Sequence, residues 1–268
     1  MRTRFLHVLL LGSLLLGTSI RPLETAAQEA YGDPYRFWKW PVADASAMAD
    51  GLVGKPGLYA AGALAGAFVL VSQHDLRVTQ EFRDVAPPGS ELSIRIVEEV
   101  GNVKAVRPLA MLIFVGSLMT DDHRLQDAAF TSLESVVVAN LITNGLKLAF
   151  GRARPWQGEG PDAFEPFSGN TSFPSGHATT AFAFVTPWLL YYPNAFTPGL
   201  LILSTGTAFS RVVTEFHWLS DVVAGSAIGF ATAYWLSRRH QQQSQRILLA
   251  PTFDGGQPGV RLQLRLGS

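Results

Sequence analysis

The chain has 268 residues, 47% of them hydrophobic and 16% charged, and Lys+Arg balance Asp+Glu at 21 each. That balance excludes a global basic field of the kind that recruits nucleic acid, so any anion site must be built locally from a few cations. The absence of cysteine excludes disulfides, cysteine-based zinc sites and thiol catalysis. A mean hydropathy of +0.18 leans toward a membrane yet falls below that of a chain made of lipid-facing spans.

The N-terminus, MRTRFLHVLLLGSLLLGTSI, sets Arg2 and Arg4 before a short leucine-rich run, and Thr25-Ala26-Ala27 offer small residues for cleavage. This predicts a secretory signal peptide over 1–27, and export follows whether it is removed or kept as an anchor. Residues 28–56 hold Tyr31, Tyr35, Phe37, Trp38 and Trp40 among Pro34, Pro41 and Pro56, predicting an irregular aromatic arm suited to the body's surface or a membrane interface. The apolar stretch 57–73 predicts a helix whose small residues permit close packing. Charges recur at helical spacing over 75–103 on both sides of Pro87-Pro88-Gly89, predicting two amphipathic helices. Helices are expected over 105–119 and 126–150, the latter with Asn140, Thr143, Asn144 and Lys147 on one face.

A Gly- and Pro-marked loop over 156–172 precedes helices at about 176–192, 198–213 and 219–238. The tail RILLAPTF-DGGQPG-VRLQLRL predicts a β-hairpin with Val260, Leu262, Leu264 and Leu266 on one face. The expected fold class is all-α. It is a helical bundle over 57–240 with the active site at helix ends, plus a short C-terminal β-hairpin within 241–268.

Three clusters carry chemistry. In KLAFGRARP, Lys147 and Arg154 bracket a helix end; in PSGH, Ser175, Gly176 and His177 open a helix; in SRVVTEFHWLSD, Arg211 closes one helix while His217 and Asp221 open the next. A bundle can bring all three to one rim. Lys147, Arg154 and Arg211 supply the point charge and forked donors that hold tetrahedral oxyanions. Ser175 suits a helix cap and Gly176 a close approach, so an anion fits at that helix start. His217 and Asp221 are four apart, so the carboxylate can fix one imidazole nitrogen and leave the other to attack. His177 is placed to donate a proton to a leaving group. There is no G-x-S-x-G elbow, H-E-x-x-H, magnesium-type acidic cluster or Walker loop, so neither a metal nor an organic cofactor is expected.

The trio K-x6-R-P, P-S-G-H and S-R-x5-H-x3-D, in this order, resembles the signature of the type 2 phosphatidic acid phosphatase/haloperoxidase superfamily over roughly residues 57–238. The resemblance implies a metal-independent phosphatase. Lys147, Arg154 and Arg211, with Ser175 and the Gly176 amide, would cradle the phosphoryl oxygens. His217 would form a phosphohistidine, Asp221 would orient it, and His177 would protonate the leaving oxygen and later activate water. The partners implied are a phosphorylated lipid, of phosphatidate or polyprenyl pyrophosphate type, or a small phosphomonoester. A soluble periplasmic acid phosphatase is the alternative, and a vanadate-dependent haloperoxidase resembles the same site.

Location follows from charge. Arg238, Arg239 and Arg246 lie beyond the end opposite the motifs, so the positive-inside rule sets the active rim outside the cytoplasm, in the cell envelope. A cleaved leader followed by three spans through 57–73, 105–119 and 126–150 would instead carry Lys147 to the cytoplasmic side. One of the leader, the spans or the embedding must therefore give way, and Glu134 tells against lipid exposure of its own face.

Overall fold

The computed structural model describes residues 35–83, 98–194, 197–244, 247–254 and 257–264. The expected signal peptide, the Pro87-Pro88-Gly89 break and the amphipathic segment after it lie outside them. Among the described residues eight α-helices follow in order: α1 (Arg36–Val53), α2 (Lys55–Ser72), α3 (Asp75–Arg83), α4 (Val103–Ser117), α5 (His123–Phe150), α6 (Gly176–Tyr191), α7 (Thr197–Val213) and α8 (Leu219–Ser244). A single 3-10 turn, Pro155–Gln157, interrupts the loop after α5. Residues 43–240 form one compact unit, and the chain's two ends form another. In the latter, β1 (Ile247–Asp254) and β2 (Gln257–Leu264) pair antiparallel, with Asp254 opposite Gln257. The strand expectation therefore holds.

Local sequence fixes the helix limits. Asn102 and Asp122 cap α4 and α5, their side chains accepting from the Lys104 and Leu125 amides at 3.1 and 3.0 Å, which satisfies orphan donors of the first turn. Gly151 ends α5 at φ 54°, where a Cβ would lie 1.7 Å from the Glu165 carbonyl oxygen, so only glycine fits. The expectation of an irregular arm is corrected: residues 36–53 are helical. Pro41 lies within the helix, and the alanines that follow it are strong helix formers.

The core of the 43–240 unit is built from small side chains. Val106, Val136, Ala139, Ala183 and Ile228 form one cluster, and Ala178, Ala208, Val212 and Val222 another. Hydroxyls fill much of the rest beside Phe130, Leu133, Trp218 and Leu236, many of them bonding a carbonyl four residues back, as Thr179 does to Ser175 and Ser237 to Ala233, the usual way helical Ser and Thr satisfy themselves in apolar surroundings. Others bridge helices. Thr143 meets Thr179 at 3.0 Å, Asn140 donates to Thr180 at 3.1 Å, Ser132 to the Phe184 carbonyl at 2.7 Å, and Ser204 to that of Ala181 at 3.3 Å. These bonds tie α5 and α7 to α6. The expected polar face of α5 is present in Asn140, Thr143 and Lys147, while Asn144 turns outward and is exposed.

Many large apolar side chains point the other way. Leu58, Leu70, Leu112, Leu141, Leu148 and Ile202 are all more than half exposed. Burying one such side chain is worth about 1.5–3 kcal/mol, so an exterior of this kind is stabilised by an apolar medium around it. Two helices among the described residues are long and apolar enough to cross a bilayer, His123–Phe150 and Leu219–Gln242. A third candidate, Gly57–Ser72 with Asp75–Phe82, is bent by 53°. The stretch 105–119, weighed above as one of three spans, is the short one. Its helix, α4, has 15 residues and reaches about 22 Å, short of the roughly 30 Å a hydrocarbon core requires.

Candidate active site

Four helix ends build one rim of the 43–240 unit: the C-termini of α5 and α7 and the N-termini of α6 and α8. Backbone bonds lock them together. The Ser175 amide donates to the Asp221 carbonyl at 2.9 Å, and the His217 amide to that of Arg211 at 3.1 Å. Gly176 lies against Lys147, where a Cβ would stand 3.8 Å from Cε. Gly101 lies so near α6 that its Cβ would fall 2.6 Å from the His177 carbonyl oxygen.

The cations are held by the loop after α5. Lys147 Nζ donates to the Thr171 carbonyl, and Arg154 Nη2 to the Thr171 hydroxyl at 3.0 Å. Arg211 Nη1 donates to Glu98. The Phe216 ring takes both guanidinium groups, with Arg154 at 5.6 Å and Arg211 at 4.4 Å from its centroid, a cation–π arrangement that steadies like charges near one another. Ser175 Oγ, Arg211 Nε and His217 Nδ1 are buried without a hydrogen-bond partner. Ser175 thus occupies the N-cap of α6 but makes no side-chain cap, which corrects the capping role read from the sequence.

His217 is 3% exposed and Asp221 fully buried, with Nδ1 to Oδ2 at 3.6 Å, within ion-pair reach and long for a hydrogen bond. Burial drives the His217 imidazole down to about 4, and Lys147 and Arg154 add to that while Asp221 opposes it. Burial likewise takes His177 down to about 3, helped by Arg211, His217, Lys147 and Arg154 around it. Both imidazoles are neutral in the free protein at ordinary pH.

Behind the rim lies a buried ionic network with no counterpart in the sequence reading. Arg152, fully buried, donates from Nη1 to Asp221 Oδ1 at 2.5 Å and from Nη2 to Asp75 Oδ2 at 2.8 Å. Asp221 Oδ2 accepts from Ser172 Oγ at 2.5 Å and the Trp218 amide at 3.0 Å. Asp75 accepts from the Ser220 hydroxyl at 2.6 Å and amide at 2.8 Å. Both carboxylates are therefore multiply bonded, the condition under which buried charge is tolerated. Every residue expected at the site stands on this rim, and the additions are Arg152, Asp75, Ser172, Phe216 and Glu98.

The PAP2 superfamily model matches residues 128–245, a stretch that contains all three motifs. A lipid A 4'-phosphatase of Helicobacter pylori is 32% identical over 155 residues, covering 54% of this chain and 72% of that protein. The chain belongs to the PAP2 superfamily. A lipid A 1-phosphatase of Rhizobium johnstonii is 40% identical over 100 residues, 35% of this chain. The match spans 41% of that relative's own length, less than half of it. The crystal structure of a transmembrane PAP2-type phosphatidylglycerolphosphate phosphatase from Bacillus subtilis superposes with a TM-score of 0.54 at 18% identity, over 69% of this chain and 97% of that one. That likeness is one of fold, and it agrees with the all-α PAP2 bundle described above.

Proposed function

We propose that this PAP2 chain is a membrane-embedded phosphatase that removes a phosphoryl group from a lipid phosphate through a phosphohistidine on His217. The observation that carries the reading is the rim itself. Lys147, Arg154 and Arg211 stand with partnerless Ser175 Oγ and Arg211 Nε at the N-terminus of α6, which supplies amide donors and a positive dipole end. Phosphoryl transfer asks for charge stabilisation and positioning above all.

Nε2 of neutral His217 attacks phosphorus in line, and the bond to the leaving oxygen breaks as His177 gives that oxygen its proton. Water then attacks the phosphohistidine, its proton passes to His177, and the P–N bond breaks to release phosphate. A low His217 pKa keeps the nucleophile's lone pair available. His177 must be protonated to serve as acid, and the bound phosphate dianion supplies the negative charge that raises it among the cations. Asp221 is engaged by Arg152 and Ser172, and the rim is cationic, so the site's own groups stabilise the phosphoryl charge.

Three features favour a lipid substrate. The interior is hydroxyl- and alanine-rich with leucines outward, an arrangement suited to helices packed in lipid. An apolar crevice of about 270 Å³ is lined by Glu99, Val100, Ala105, Val106, Leu109 and Phe184, beside the Gly101 segment that touches α6. Relatives carry lipid A phosphatase names. Arg238 and Arg239, near the far end of α8, favour a rim outside the cytoplasm.

The test is phosphate release by the purified chain in EDTA from phosphatidate, a polyprenyl pyrophosphate, a lipid A-type glycosyl phosphate and a soluble aryl phosphate, beside His217→Ala. Turnover in chelator favouring a lipid, lost by a factor of at least about 10³ in the variant, is expected. On the acid side kcat/KM should fall as pH drops through about 4, where His217 of the free enzyme takes a proton. Preference for the aryl phosphate would point to a general phosphatase, and vanadate-dependent halide oxidation without hydrolysis to the haloperoxidase branch.

A further inference from the structure

We propose that Asp44, Glu134 and His240 form a site for a divalent transition metal of the zinc type, remote from the phosphate rim. Asp44 lies on α1, Glu134 on α5 and His240 on α8, and one donor atom from each falls within 4.8 Å of the others. Their exposures are 3%, 7% and 0%. Ionisable groups inside apolar helices of this length are costly to keep and mark function by default.

The hydrogen-bond directions show why a cation belongs there. Thr131 Oγ1 lies 2.6 Å from the Asp127 carbonyl oxygen, which can only accept, and with the hydroxyl hydrogen directed there the same oxygen accepts from His240 Nδ1, 2.8 Å away. In that arrangement Nδ1 carries the hydrogen. Nε2 then faces Asp44 Oδ2 at 2.7 Å and Glu134 Oε2 at 3.6 Å. A lone pair aimed at two carboxylates is repulsive unless a cation lies among them. A proton on Nε2 serves Asp44, yet one N–H cannot serve both, and Glu134 Oε2 is buried with no hydrogen-bond partner. A divalent ion partners all three atoms at once.

The surroundings suit that ion. Imidazole nitrogen with two carboxylate oxygens is a donor set zinc accepts, at lengths of about 2.0–2.2 Å, which puts tetrahedral donors about 3.4 Å apart. The observed 2.7 and 3.6 Å separations reach this by small side-chain shifts. Arg239 Nε donates to Asp44 Oδ1 and leaves Oδ2 turned inward, while Thr131 holds the other ring nitrogen of His240; both are outer contacts of the kind that orient metal ligands. Glu134 is about 20 Å along α5 from Lys147, and His240 about 28 Å along α8 from Asp221. The ion therefore takes no part in phosphoryl transfer. It staples α1, α5 and α8, so its binding energy adds to the stability of the folded chain.

The full chain, purified without a polyhistidine tag and stripped with chelator, is titrated with Co2+ and Zn2+. About one equivalent should bind, cobalt should show visible ligand-field absorption, and zinc should raise Tm by about 5 °C. Glu134→Gln and His240→Gln should lose all three effects, and His217→Ala should keep them. X-ray absorption of the wild-type zinc complex should show one imidazole nitrogen with oxygens completing the shell, a readout independent of whether the variants fold. No bound metal and no Tm shift, a shell without imidazole, or undiminished binding in Glu134→Gln overturns the proposal and leaves a proton-shared network in its place.

Discussion

Asp221 accepts from Arg152, Ser172 and the Trp218 amide, so its carboxylate is fixed before His217 approaches it. Removing Arg152 would strand two buried carboxylates, at a cost of about 3–5 kcal/mol. Arg152→Ala should accordingly fold poorly. Arg152→Lys brings charge without the fork that spans Asp75 and Asp221, so it should fold and yet lose about 10- to 100-fold in kcat, with KM changed far less. Asp75→Asn should shift kcat in the same direction. Steady-state kinetics beside thermal melts read this, and unchanged kcat in both variants contradicts a positioning role. The motif residues were legible because Lys147, Arg154, Ser175, Gly176, His177, Arg211, His217 and Asp221 stand at helix ends in a charge-poor chain. Arg152 was not, since beside Arg154 it reads as one more solvated cation. Asp75 gives no local sign of a partner 77 residues away.

At the level of elements, the crossing of α6 and α8 decides where His177 and Asp221 lie. A Cβ at Gly225 would stand 2.4 Å from the Ser175 carbonyl oxygen, and one at Gly229 2.3 Å from that of Thr179. Backbone cannot yield cheaply at such distances, so Gly225→Ala should cost about 1–3 kcal/mol and displace the start of α6, lowering activity. Gly62, on α2 with nothing within 4 Å of its Cβ position, is the control, and Gly62→Ala should leave activity within error and melting unchanged or slightly raised, since alanine suits a helix interior better than glycine. Equal tolerance at Gly225 contradicts the close crossing. Helices α2 and α4 to α7 were legible to within three residues, and α8 at its start though it runs six residues further, because their apolar runs, caps and breakers agree. Helix α1 was not, because Pro41 and a cluster of aromatics read as a coil, although the proline is accommodated within the helix.

At the scale of the whole fold, small and hydroxylated side chains dominate the interior of the described residues and many leucines face outward, which is why modest hydropathy and an apolar surrounding are compatible. If the rim faces outside the cytoplasm, as proposed, a label should reach the exposed loop after α5. The chain has no cysteine, so Glu159→Cys gives a single thiol. A membrane-impermeant maleimide should modify it in intact cells whose outer barrier is opened, and modification only after lysis of the inner membrane contradicts the orientation. A covalent intermediate on His217 is the decisive chemical event. Rapid quenching into alkali during turnover of a phosphorus-labelled lipid phosphate should trap label on the peptide containing His217, stable in base and released by acid, and absent from His217→Ala. Steady turnover with no such adduct, or an adduct on any other residue, would contradict it.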